Sequence, residues 1–221
     1  MKFGVLGTGM VGRSIALRLV SLGHEVRMGS RQAGNEAAVA WAREAGPSAS
    51  EGTFADAAQF GEMNFNCTAG TASLAAVSQA GAEQFAGKVV IDLANRLEMG
   101  PDGPQLVLGE VSLGEELQSA LPGAHVVKTL NTVNHQLMVD PSLLPGSHTM
   151  FVAGNHAAAK VQVVELLESF GWPARDIVDL GDITAARATE LYMPLWLRLW
   201  QATQAPHFNI KLIHAEPDPG S

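Results

Sequence analysis

Cysteine is almost absent. Cys67 is the single thiol in 221 residues, so no internal disulfide framework can staple the chain, and one thiol suits a reducing compartment. Positive charge is also scarce: 14 Lys and Arg against 22 Asp and Glu give a formal net charge of −8. That balance argues against generic nucleic-acid binding, and an anionic ligand has to be held by local donors rather than by the field of the whole molecule. No apolar run reaches the roughly 20 residues of a membrane helix. The chain opens on a strand-like run rather than on a secretory leader. A cytoplasmic protein with neither membrane nor nucleic-acid partner is the expectation. Repeats, low-complexity tracts and obvious linkers are missing, and the histidines are too scattered for a metal-ligand pattern.

What is present suits a compact α/β protein: 47% hydrophobic residues, 16% charged, and 23 glycines. The length allows one full core, or one domain plus a small addition. The most informative stretch is at the start. Lys2 to Leu6 reads as a strand, Gly7-Thr8-Gly9-Met10-Val11-Gly12 has the G-x-G-x-x-G spacing, and Ser14 to Val20 begins a helical pattern. The first glycine permits a sharp turn, the second lets a pyrophosphate approach the backbone, and the third lets the helix pack closely on the sheet. The helix start offers unpaired N–H groups and its positive dipole end. After Gly23, His24 to Gly29 reads as a second strand, followed by Ser30-Arg31. A site selecting NAD would place Asp or Glu there; a hydroxyl and a guanidinium suit a 2′-phosphate instead. NADP(H) is the expected cofactor.

Further along, an alanine-rich helix is predicted over 34–45 and stopped by Gly46-Pro47, then a short helix over 53–60 and a strand over 63–67. The loop 68–71 leads into a helix to about Ala80, and Gly87 to Leu93 is the clearest buried strand. The proline-bearing stretch 98–109 reads as an irregular loop. Ser112 and Glu115 form a capping-box pattern for a helix to about Leu121, and Ala124 to Leu130 is another strand. A strand follows over 148–153. Asn155 reads as the cap of a helix buried through Val161, Val164, Leu167 and Phe170, and 177–180 as the last strand. From 185 to 204 an aromatic helical stripe, Tyr192, Trp196 and Trp200, is interrupted by Pro194. Residues 207–213 read as a short strand or docking segment, and 216–221 as a frayed end.

Strands alternating with helices for about 180 residues imply a doubly wound, mostly parallel sheet, residues 1–180, with a small C-terminal helical extension, 181–221. In such sheets ligands bind beyond the carboxyl ends of the strands. The loops Gly7–Val11, Ser30-Arg31, Cys67–Ala69, Ala94–Arg96 and Asn131–Val133 then line one cleft, with Ala94 and Asn95 counted among the cofactor-binding residues. Hydride transfer between two ring systems asks for positioning and exclusion of water, with the reactivity carried by the cofactors, so no catalytic triad, metal or essential acid–base is expected. Cys67 reads as a small buried hydrophobe, His135 as a solvated or helix-capping histidine, and Asp92 as an organiser of its loop. Lys128 lies in a strand without the context of a catalytic lysine. The aromatic stripe reads as a homodimer contact.

The run G-T-G-M-V-G, then L-G-H-E-V-R-M-G-S-R, V-V-K-T-L-N-T-V-N and the ending G-D-I-T-A-A-R-A-T-E-L-Y-M-P-L-W-L-R-L-W…F-N-I-K resembles the coenzyme F420-dependent NADP oxidoreductases. The resemblance implies a Rossmann domain with a small C-terminal portion, and hydride transfer between NADP(H) and a deazaflavin or flavin-like acceptor. It implies Thr8, Gly9, Met10 and Val11 at the pyrophosphate, and Ser30 and Arg31 at the 2′-phosphate. Cys67, Thr68 and Ala69 fall to the nicotinamide, and Asn131, Thr132 and Val133 to the second substrate. The chain departs from the family pattern at Asn35, where a basic residue is common, at Cys67-Thr68 for Ile-Pro, and at Asn131 to Asn134 for His-Thr-Ile-Pro. Two other functions remain open on the sequence: a short NADP-dependent dehydrogenase of another small substrate, and an NADPH-binding sensor without turnover.

Overall fold

The computed structural model describes residues 1–101, 103–107 and 109–215; the sequence reading for 216–221 lies outside these. The first half follows a regular strand–helix alternation: β1 (Lys2–Leu6), α1 (Met10–Ser21), β2 (Glu25–Ser30), α2 (Glu36–Ala45), β3 (Ala49–Thr53), α3 (Phe54–Phe60), β4 (Met63–Asn66), α4 (Ser73–Ala80) and β5 (Val89–Asp92). A hairpin, β6 (Leu97–Gly100) and β7 (Gly103–Leu106), precedes α5 (Leu113–Ala120), β8 (His125–Thr129) and α6 (His135–Val139). Then come β9 (Met150–Gly154), α7 (Ala157–Phe170), β10 (Ile177–Asp179), α8 (Ala186–Leu191) and α9 (Met193–Thr203).

The main sheet has the order β10-β9-β8-β5-β4-β1-β2-β3. Its pairs are parallel except β8 with β9, so β9 and β10 form a reversed edge on a six-stranded parallel sheet. Both faces are covered, as a parallel sheet requires. Val89 and Ile91 of β5 join Phe3, Ile15, Leu19 and Trp41 in one core, while Val90 faces the other with Phe54, Val77 and Leu117. Alternate residues of one continuous apolar strand therefore serve two layers, the pattern of a Rossmann-like α/β sandwich. No helix among the described residues is long and apolar enough to cross a membrane.

Local chemistry explains the element ends. Thr53 and Asp56 form a capping box at the start of α3, and Ser112 and Glu115 form the one expected at α5. Pro194 splits the C-terminal helical run: it sits in the first turn of α9, where its missing N–H has no helical partner to lose. Three expectations need correction, and one strand has no counterpart in the sequence reading. The stretch 98–109 contains the β6–β7 hairpin rather than a loop throughout, because Gly103, at φ +105°, permits the tight turn. Residues 49–53 form β3, an edge strand whose sequence Ala-Ser-Glu-Gly-Thr carries no apolar alternation. Asn155 does not cap α7; its Oδ1 accepts from the Ile183 N–H at 3.0 Å, and His156 takes the cap position. The buried face of α7 is Ala159, Val163, Leu166, Leu167 and Phe170, while Val161 is 57% exposed.

The C-terminal segment returns to the sheet. α8 buries Ala186 and Thr189, and residues 209–212 run beside Thr149: its N–H donates to the Ile210 carbonyl at 2.8 Å, and the Leu212 N–H donates to its Oγ1 at 2.9 Å. Because β9 is antiparallel to β8, Thr149 lies at the same sheet edge as the carboxyl ends of the parallel strands.

Candidate functional site

At that edge the chain leaves β1 through Gly7, whose φ of +116° belongs to the left-handed region. A Cβ on Gly12 would lie 2.1 Å from the Gly7 carbonyl oxygen, so only glycine allows α1 to sit this close to the turn. Gly9 differs: a Cβ there would meet nothing within 4 Å. It faces a cavity of about 690 Å³ lined by Gly7, Thr8 and Gly9. Gly9 is also the N-cap of α1, with no side-chain cap, and the first turn carries no acidic residue. The helix start thus keeps free N–H donors and an uncompensated positive end, aimed where an anion can approach. These features fit a dinucleotide diphosphate.

The same cavity extends past the end of β2 to Ser30, Arg31, Gln32 and Asn35. Ser30 is buried and its Oγ donates to the Gln32 carbonyl at 2.6 Å, which stiffens the turn and commits its hydrogen. Arg31 is exposed and takes part in no ion pair among the described residues. Its carbonyl accepts from Gln79 Nε2 at 2.8 Å, so the main chain is anchored while the guanidinium stays free. Asn35 caps α2, its Oδ1 accepting from the Ala37 and Ala38 N–H groups.

On the other flank Cys67, Thr68 and Ala69 complete the wall. Burial, with a smaller contribution from the Asp92 carboxylate, pushes the Cys67 thiol far up, so it is a packing group rather than a nucleophile. Thr68 Oγ1 donates to Asn66 Oδ1 at 2.7 Å. The next two strand ends are tied together: Asn95 Nδ2 donates to the Asn131 carbonyl at 2.7 Å, and Asn131 Nδ2 donates to Asn95 Oδ1 at 3.0 Å. Leu130, fully buried, holds a φ of +61°, a left-handed conformation that costs a non-glycine residue roughly 1–3 kcal/mol. Two residues on, the Thr132 hydroxyl is buried with no hydrogen-bond partner among the described residues. Strain and an orphaned hydroxyl thus coincide in one turn. His135 opens α6, its Nδ1 2.7 Å from Ser14 Oγ; burial, then the nearby His207, holds its pKa below the ordinary value.

Gly7, Thr8, Gly9, Ser30, Arg31, Cys67, Thr68 and Ala69 therefore meet in one cavity. Met10 and Val11 lie in the first turn of α1, Met10 largely exposed. Ala94, Asn95, Asn131, Thr132 and Val133 do not line that cavity; they sit at the neighbouring strand ends, where Val133 belongs to the core. Residues missed from sequence include Phe54, Ala72, Ala75, Ala76 and Gln79. The last four, three alanines and a glutamine, recur at i, i+3, i+4 and i+7, a helical face that periodicity could have found.

The model of the family described as "NADP oxidoreductase coenzyme F420-dependent" matches residues 2–96. The crystal structure of a "putative f420 dependent nadp-reductase" from Arthrobacter sp. FB24 is 45% identical, with a TM-score of 0.89, covering 97% of this chain and 100% of that one. Metalloreductase STEAP3 of Rattus norvegicus is 29% identical over an alignment of 203 positions that covers 88% of this chain. This chain spans only 38% of the length of that curated relative. An imine reductase from Streptomyces aurantiacus, 20% identical with a TM-score of 0.63, covers 91% of this chain and 65% of its own, and shows the shared fold alone. On the family match and the near full-length relative, the chain belongs to the coenzyme F420-dependent NADP oxidoreductase family and is an NADP-dependent oxidoreductase.

Proposed function

We propose that the chain passes hydride between NADP(H) and a deazaflavin or flavin-like acceptor, with the nucleotide diphosphate at Gly7–Val11. The observation that carries this reading is the open position at Gly9 beside an uncapped helix start free of acidic residues. NADPH supplies the hydride when bound; the chain's own part is to bind, orient and exclude water. The N–H groups of the first turn of α1 hold the diphosphate. Arg31 and Gln32 take the 2′-phosphate, with Ser30 fixing their turn from below. The wall Cys67–Ala69 receives the nicotinamide, with Ala94 and Asn95 behind it.

Asn131, Thr132 and Val133 form the border toward the acceptor, and the unpartnered Thr132 hydroxyl is the donor reserved for it. Residues 1–180 act as the nucleotide-binding domain, and the C-terminal helical segment from 181 onward packs on the sheet and on a dimer partner. A second copy covers the α8–α9 face, where Leu191, Leu195 and Trp200 are exposed along one short stretch; light scattering should report a dimer. The near full-length likeness to the Arthrobacter protein supports a deazaflavin as the acceptor. Mixing NADPH with oxidised deazaflavin, FMN or FAD and following absorbance tests it. Turnover is expected with at least one. Tight NADPH binding without turnover on any of them would replace this reading with a sensor or a different substrate.

A further inference from the structure

The cofactor wall is backed by a chain of buried polar side chains for which nucleotide binding has no direct use. Asn66, Asp92 and Lys128 are direct neighbours across β4, β5 and β8 in the sheet register. Asn66 Nδ2 donates to Asp92 Oδ1 at 2.8 Å, and Lys128 Nζ donates to Asp92 Oδ2 at 2.7 Å. Lys128 also pairs with Glu190 Oε1 at 2.9 Å. Glu190 belongs to α8, and its carboxylate accepts from the Leu113 and Gly114 N–H groups at the start of α5. At the other end, Asn66 Oδ1 holds Thr68, while Ser73 Oγ binds Asn66 and the Ala69 carbonyl. The side chains of Lys128 and Asp92 are wholly buried.

This chain reaches every strand end that borders the cleft on this flank. Lys128 Nζ also donates to the Ala94 carbonyl, and Asp92 Oδ1 accepts from the Ala94 N–H. The 67–70 loop lies directly on the next one: a Cβ on Gly70 would fall 2.3 Å from the Asn95 carbonyl oxygen. Asn95 in turn grips Asn131 from both sides of its amide. A displacement at any link is transmitted to the loop that carries Thr68 and Ala69, because each neighbour is close-packed and fully bonded.

We propose that Glu190–Lys128–Asp92–Asn66 is a positioning device for the nicotinamide, through which helix α8 sets the ring's orientation without touching the cofactor. The inference rests on the reading that the ring lies against Cys67–Ala69. Diphosphate and 2′-phosphate are gripped at other strand ends, so the device governs ring geometry and leaves overall affinity nearly unchanged. A merely structural ion cluster would change stability and leave the bound ring as it was.

The test is time-resolved nicotinamide fluorescence of NADPH bound to the full chain, with affinity taken from the same titrations. Glu190→Gln, which leaves Lys128 paired with Asp92, and Asn66→Leu, which cuts the link to Thr68, are compared with wild type. Lys160→Met, which breaks an ion pair with Asp179 at the far edge, serves as control. In both test variants the bound lifetime should shorten toward that of free NADPH while Kd stays within about twofold; in the control it should not change. Should Asn66→Leu fail to fold, Ser73→Ala removes the Ser73 hydroxyl's bonds to Asn66, Thr68 and the Ala69 carbonyl while leaving Asn66 on Asp92, and should also shorten the lifetime. Variants that fold, bind NADPH and keep the wild-type lifetime would overturn the positioning role alone. A wild-type chain that fails to bind NADPH would overturn the site reading and this inference with it.

Discussion

Two alanine substitutions in the same turn should have opposite consequences. In Gly12→Ala the new methyl would sit 2.1 Å from the Gly7 oxygen and 3.0 Å from its carbon, both backbone atoms. Neither can rotate away, so α1 must lift from the sheet by more than an ångström. Overpacking of this kind costs about 1–3 kcal/mol, roughly 2–12 °C in Tm for a chain of this size. In Gly9→Ala the methyl meets no protein atom, and the native φ of −75° with ψ of −176° is open to alanine. The fold should stay within about 1 kcal/mol of wild type, since alanine is a slightly poorer N-cap but a stiffer unfolded residue. The methyl would, however, occupy the approach of the diphosphate to the backbone. Losing one charge-assisted hydrogen bond, about 1.5–3 kcal/mol, weakens NADPH binding by about tenfold to a hundredfold. Thermal melts and fluorescence titration of the two variants separate the effects. Wild-type NADPH affinity in Gly9→Ala, or equal destabilisation by both substitutions, would refute the assignment of roles to the two glycines.

Thr132→Val removes a buried hydroxyl that has no partner among the described residues. Stability should hold or rise by about 1 kcal/mol, while turnover with a deazaflavin or flavin falls; a lower Tm with unchanged turnover contradicts the reserved-donor role. Stability should also fall in mild acid. Burial lowers the pKa of His24, His125 and His135, so each folded ring favours the neutral form, and the unfolded chain binds more protons below about pH 6.5. The stability lost as the pH falls through that value is fully gone once it drops below the lowered folded values. Melts between about pH 7.5 and pH 5 should show a falling Tm, and His135→Gln should flatten the slope; a Tm that rises into acid would contradict the sign.

The α/β order was legible because its carriers are local. Glycine spacing, capping pairs and apolar runs lie within a few residues of one another, as at Gly7–Gly12, Ser112–Glu115 and Val89–Ile91. Pro194 announced the break between α8 and α9 for the same reason. β3 escaped because an edge strand of Ala, Ser, Glu, Gly and Thr buries too little to show a period, and the hairpin at 97–106 because its prolines mask a glycine-made turn. Asn155 carried the signature of a cap but is held by Ile183, a tertiary contact that no local rule encodes. The cavity's glycine and Ser30-Arg31 walls were readable. The buried Asn66–Asp92–Lys128–Glu190 chain was not: its members are polar residues far apart in sequence, and only the strand register and the return of α8 bring them together.

Affinity for NADPH against NADH in the wild-type chain, followed by Arg31→Glu, bears on the whole reading. Arg31, at the end of β2, has no ion-pair partner among the described residues and lines the cavity that Gly9 opens. NADPH should bind at least about tenfold more tightly than NADH, about 1.4 kcal/mol, and the substitution should abolish the difference. Equal affinities in the wild type would contradict recognition of the 2′-phosphate at this corner.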